Sequence, residues 1–135
     1  MLSPRSLYLL DKAHPDLKRL FIAVAKKINI MIDCTLRGES DQEQAFRDGH
    51  SKAHFGQSPH NFVPSLAVDV VPLPTEWSDE QALLNLSIIV METADEMEID
   101  MTWGGSFPGD YGFKHSGDLP HYQFSNWLKL RGVIS

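Results

Sequence analysis

The sequence predicts an α+β domain, a small antiparallel sheet with helices packed mainly on one side. Helical spacing of three and four residues marks two long stretches, 14–28 and 78–97. Short apolar or alternating runs lie between and after them, at 28–34, 66–71, 99–103 and 120–124. The two longest helices therefore precede and interrupt the strand set, the pattern of an α+β layer rather than of a repeat or a bundle. With 135 residues, 42% of them apolar, the chain suits one domain spanning 1–135 with no length left for a second.

Each element has a local reason. His14-Pro15-Asp16 opens the first long helix, in which Leu17, Leu20, Phe21, Val24 and Ile28 form the apolar stripe and Lys18, Arg19, Lys26 and Lys27 a solvated face. Ile28 to Cys34 alternates isoleucine with Asn29, Met31 and Asp33 as a strand does, and Cys34 reads as a small core residue. Ser40-Asp-Gln-Glu43 has the Ser-x-x-Glu capping-box spacing and starts a helix that ends near Gly49. Residues 50–58 are polar and aperiodic, a loop. After the strand at 67–71, Pro72 and Pro74 stop regular structure and Ser78-Asp-Glu-Gln caps the longest helix. Its stripe is Leu83, Leu86, Val90, Ala94 and Met97, and the acidic cluster at its C-terminal end, unfavourable for the helix dipole, is tolerated through exposure. Gly104-Gly105 ends the 99–103 strand, and a long loop, 106–117, precedes the last strand and a terminal amphipathic segment, 127–134. Loops of that length inside a small domain tend to carry function.

Composition narrows the function. A net charge of −6 disfavours nucleic acid and other polyanions, which need clustered Lys and Arg. No stretch approaches the roughly 20 apolar residues of a membrane span, and the N-terminus lacks the layout of a signal peptide, so synthesis as a soluble cytoplasmic chain is expected, with action elsewhere only after release. A monomer is expected. A single cysteine excludes a disulfide framework and a Cys-rich metal site.

One residue is out of place in this plan. Asp69 lies inside the apolar run Leu66-Ala67-Val68-Asp69-Val70-Val71, where an ionised carboxylate is costly unless a positive group faces it. A divalent cation meets that need. His60, on a Pro-bounded loop, and His121, at the start of the last strand, supply two imidazoles to go with the carboxylate, a Zn2+ ligand set with a fourth position free for water. Hydrolysis of an amide then needs a base, and Asp118, held by Leu119-Pro120 three residues before His121, has a defined reach. Arg37, just after the first strand, is placed to steady a developing oxyanion. His50 and His54, four apart, form an alternative metal pair only if that stretch is helical, which its Gly, Ser and Lys content opposes.

Ser58-x-His60, Ala67-x-Asp69, Trp103-Gly104-Gly105 and Asp118-x-Pro120-His121-Tyr122-Gln123 together resemble the signature of the zinc peptidoglycan peptidases, a family that includes phage L-alanyl-D-glutamate endopeptidases (endolysins) and bacterial D-alanyl-D-alanine carboxypeptidases. The resemblance runs from about Arg37 to Gln123. It implies zinc held by His60, Asp69 and His121, Asp118 as the catalytic base, and Arg37, ahead of a Glu43-Gln44 pair, against the substrate carbonyl. It further implies the peptide stem of bacterial peptidoglycan as partner. Ser58, His115 and Tyr122 are the candidate substrate contacts, with a cleft or surface position the alternative for His115 and core packing the alternative for Tyr122. Cleavage of the L-Ala to D-Glu bond is expected, with D-Ala-D-Ala carboxypeptidase activity or a catalytically silent peptidoglycan-binding domain as alternatives. The sequence departs from the family in the eight residues, Asn61 to Val68, between His60 and Asp69, two more than is common and with Pro64 and Ser65 where a glycine is usual. Two extra residues preserve strand parity, so Asp69 keeps its direction.

Overall fold

Val68 and Val70 point to one side of their strand and Asp69 to the other, and this alternation organises the domain. In a computed structural model covering residues 1–135, the helices are α1 (Pro4–Leu10), α2 (Pro15–Ala25), α3 (Glu39–Arg47), α4 (Glu80–Glu96) and α5 (Trp127–Leu130). The strands are β1 (Ile30–Cys34), β2 (Phe62–Val63), β3 (Ala67–Pro72), β4 (Met101–Trp103), β5 (His121–Phe124) and β6 (Val133–Ile134). Four of them form an antiparallel sheet in the order β1-β3-β5-β4, and β2 pairs with β6.

The main core lies on one face of that sheet. Ile30 and Ile32 of β1, Val68 and Val70 of β3, and Tyr122 and Phe124 of β5 pack against Leu17, Leu20, Phe21 and Val24 of α2 and Leu86, Val90 and Ala94 of α4. A Leu or Phe side chain buried in this way is worth about 1.5–3 kcal/mol, so this layer fixes the sheet's position. The residues between them, Asp69 on β3 and His121 on β5, consequently share the opposite face, and they are direct cross-strand partners. Val71, Leu83 and Leu119 form a smaller apolar cluster, with Trp103 and Phe113 packed against it. No helix is long and apolar enough to cross a membrane.

The α+β architecture is as expected, with differences at element ends. Helix α2 stops at Ala25 and β1 begins at Ile30. Ser40 is not the cap of α3; Gly38 holds that position, and the helix starts at Glu39. On α4 the cap is Asp79, whose side chain accepts from the Ala82 N–H at 3.1 Å. Helix α1 was not read from the sequence, although Ser3-Pro4 is a compact start signal: Ser3 Oγ accepts from the Ser6 N–H and Pro4 occupies the first turn. The β2–β6 pair was also unread, because two-residue strands leave no periodicity.

Candidate active site

Two separate local devices bring the predicted ligands together. Asp69 and His121 arrive as a strand pair. His60 arrives on a single helical turn, Pro59–Asn61, capped at both ends of its first bond: Ser58 Oγ accepts from the His60 N–H at 3.2 Å, and Asn61 Oδ1 accepts from the Ser58 N–H at 3.1 Å. The result is a near-equilateral triangle of donor atoms. His60 Nε2 lies 3.2 Å from Asp69 Oδ1 and 3.2 Å from His121 Nδ1, and His121 Nδ1 lies 3.1 Å from Asp69 Oδ1.

Protons cannot satisfy this triangle in its neutral form. His60 Nδ1 is 2.6 Å from the Thr35 carbonyl oxygen and donates to it, which leaves Nε2 as the lone-pair nitrogen of a neutral ring. His121 Nε2 is 2.8 Å from Gln123 Oε1 and donates there, which leaves Nδ1 in the same state. Two nitrogen lone pairs and a carboxylate oxygen then face one another with their residues almost wholly buried. The chain alone resolves the conflict by protonation: burial opposes the charged ring, but Asp69 outweighs it and pushes His60 up to about 10. Burial likewise opposes the Asp69 charge, yet His60 and His121 hold its carboxyl well below the usual range. A cation in the triangle replaces those protons, and edges of 3.1–3.2 Å are close to the roughly 3.3 Å between ligand atoms of a tetrahedron with bonds near 2.0 Å.

Cys34 belongs to this neighbourhood, contrary to its reading as a plain core residue. The register of β1 slips beside β3 so that both Ile32 and Cys34 find partners one residue apart, with Asp33 bulged between them. That bulge turns Cys34 to the Asp69 side. Its thiol lies 3.9 Å from His60 Nδ1 and 3.7 Å from Arg37. Donor atoms of Cys34, His60 and Asp69 also fall within 4.8 Å of one another, a possible metal-binding cluster. The His60 nitrogen nearest the thiol, however, is the one engaged by Thr35, so the trio completed by His121 has the better-directed lone pairs.

Arg37 joins the triangle through Asp69. Its guanidinium donates to Asp69 Oδ2 at 3.4 Å and to Gln42 Oε1 at 3.1 Å, and its backbone N–H to the His60 carbonyl at 2.8 Å. The glutamine that holds it is Gln42, not the Glu43-Gln44 pair: Glu43 faces outward to His54 Nδ1 at 2.8 Å. Gln42 is fully buried and also bonds Asn61, Ser51 and the Ala53 carbonyl, tying α3 to the loop before His60. The pairing of His54 with Glu43, on a stretch without helix, removes the alternative His50/His54 metal pair.

Asp118 completes the cleft. Burial and the Asp69 charge raise its carboxyl to about 6, against the opposing pull of His121, His60 and Arg37. Two connected hollows meet here. One, of about 430 Å³, is lined by Asp33, Trp77, Phe113 and Pro120; the other, of about 230 Å³, by Lys52, Ser58, His60 and His121. Arg37, His50, Tyr111 and Asp118 border both.

The Trp103-Gly104-Gly105 signature explains how Asp118 is held. The Asp118 N–H donates to the Gly104 carbonyl at 2.8 Å, Trp103 Nε1 donates to the Leu119 carbonyl at 2.7 Å, and a Cβ at Gly104 would stand 2.4 Å from the Asp118 carbonyl oxygen. Gly117, at φ +103°, makes the turn that precedes Asp118.

Of the expected substrate contacts, Ser58 lines the cleft while capping the His60 turn. His115 sits on the exposed outside of the 106–117 loop, where Glu80 accepts from the Lys114 and His115 N–H groups at 2.7 and 2.8 Å. Tyr122 is not brought to the cleft. Strand alternation sends it into the main core, fully buried with its ring edge-on to Phe21 and its hydroxyl without a partner.

A single α+β domain whose cleft gathers a His-Asp-His cluster, a carboxylate poised near neutrality and a guanidinium has the parts of a hydrolytic enzyme. The family model for phage L-alanyl-D-glutamate peptidases matches residues 1–122, and the chain belongs to that family. Among solved structures, the L-Ala D-Glu endopeptidase ChiX of Serratia marcescens is similar at 25% identity with a TM-score of 0.72, over 93% of this chain and 90% of that one. A comparison with curated protein sequences finds no match.

Proposed function

We propose that the chain is a zinc-dependent endopeptidase that cuts the L-Ala to D-Glu bond in the peptide stem of bacterial peptidoglycan, with His60 Nε2, Asp69 and His121 Nδ1 as the metal ligands. The observation that carries this reading is the convergence of two imidazole lone pairs and a carboxylate at 3.1–3.2 Å in a family of L-alanyl-D-glutamate peptidases. When bound there, zinc supplies Lewis acidity, making hydroxide available near neutral pH and polarising a carbonyl.

The remaining chemistry falls to the chain's own groups. Asp118, on the border of both hollows, takes a proton from the attacking water and passes it to the departing nitrogen. Arg37, fixed by Gln42, presents its guanidinium to the carbonyl oxygen as charge gathers on it. The Thr35 carbonyl and Gln123 fix the tautomers of the two histidines, so that in the neutral rings the lone pairs face the metal position.

The test is mass spectrometry of purified murein after digestion, with and without a chelator. Fragments with new N-terminal D-Glu, absent under chelation, are the expected product. Loss of terminal D-Ala instead would make the chain a carboxypeptidase, and no metal-dependent product would reject the enzymatic reading.

A further inference from the structure

The two hollows differ in charge, and the difference gives the cleft a direction. Arg37 and Lys52 are the only Lys or Arg side chains lining either hollow, and Arg37 is engaged by Asp69. Lys52 lines the smaller hollow alone and takes part in no ion pair, in a chain of net charge −6. Lys52 is exposed, and its ammonium lies 5.2 Å from the centre of the Tyr111 ring, on the loop that borders both hollows. The larger hollow carries the opposite character, with Asp33 and the aromatic rings of Trp77 and Phe113.

A glutamyl residue within a peptide uses one carboxyl to continue the chain and keeps the other free. Building on the endopeptidase reading, we infer that Lys52 is a specificity-determining residue that binds this free carboxylate of the D-glutamyl residue. The substrate then runs in one direction only. The D-Glu side, which leaves as the amine, occupies the Lys52 hollow, and the alanyl side extends towards Trp77 and Phe113. Asp118, between the two, stands beside the nitrogen that must receive its proton.

The experiment uses two synthetic stem peptides that differ only at that carboxyl, one as the free acid and one as the primary amide. Wild-type protein is expected to prefer the acid by about twofold to fivefold in kcat/KM, carried by KM, as suits a charge-assisted contact from an exposed lysine. Lys52→Met should cut both peptides with a preference near one, and Lys52→Arg should keep most of the discrimination. In an Asp118→Asn background, calorimetry should show Lys52→Met weakening binding of the acid peptide and leaving the amide peptide unchanged. A wild-type preference near one, or a preference that survives Lys52→Met, overturns the assignment while leaving the endopeptidase reading standing. Failure of the wild type to cut either peptide overturns both.

Discussion

Gly104→Ala probes the link between a glycine with no chemistry of its own and the chemistry next door. The added methyl would lie 2.4 Å from the Asp118 carbonyl oxygen and 2.9 Å from His121 Cβ, against an ordinary contact of 3.4 Å or more. Relief of the first contact alone requires the Asp118 to His121 turn to retreat by about 1 Å, since the neighbour is backbone and not a flexible side-chain end. Overpacking of this kind costs about 1–3 kcal/mol of stability. A displacement of about 1 Å at the reacting groups costs roughly a hundredfold in rate. Gly38→Ala is the control, because nothing lies within 4 Å of its added methyl; as a cap position it should cost no more than about 1 kcal/mol. Urea denaturation reads the stability and hydrolysis of a stem peptide reads kcat. A Gly104→Ala protein that retains both would show that Asp118 and His121 are not positioned through Gly104.

Asp118→Asn should reduce kcat by about 10²- to 10⁴-fold while zinc content and fold remain, and a variant with near-wild-type turnover would remove Asp118 from the base role. The same carboxyl sets a pH limb. Its pKa is raised to about 6, and a base works only when ionised, so kcat/KM should rise with pH through an apparent value of about 6, or lower once the cation draws it down. A rate that falls between about pH 5 and 7 contradicts this. Tyr122→Phe should keep full activity and leave stability equal or higher by up to about 1 kcal/mol, because it removes a buried hydroxyl that has no partner. A rise in KM would instead return Tyr122 to the substrate.

The legible parts of the chain were those with a period or a contradiction. Leu17, Leu20, Phe21 and Val24 announce α2 by spacing, and Asp69 announces the candidate site because a carboxylate in an apolar strand needs a positive or hydrogen-bonding partner. His121 was legible as a residue that joins Asp69 in the cleft, but its neighbour Tyr122 was misread as a possible contact. Alternation along β5 decides between them, since Tyr122 shares a face with Phe124 and His121 with Gln123. Gln42 gave no such signal, one polar residue in a polar helix, and only folding shows it to be the single buried residue of α3. Cys34 was misplaced because a bulge inverts strand parity and leaves no mark in composition. Lys52 and Tyr111 come from loops far apart in sequence, and only folding shows that they meet.

Zinc stoichiometry of the purified protein, measured by elemental mass spectrometry after dialysis, addresses the convergence of His60, Asp69 and His121 most directly. One zinc per wild-type chain is expected, retained in Asp118→Asn and in Cys34→Ser and lost in His121→Ala. A His121→Ala protein that keeps its zinc, or a Cys34→Ser protein that loses it, would place the metal elsewhere and contradict the account.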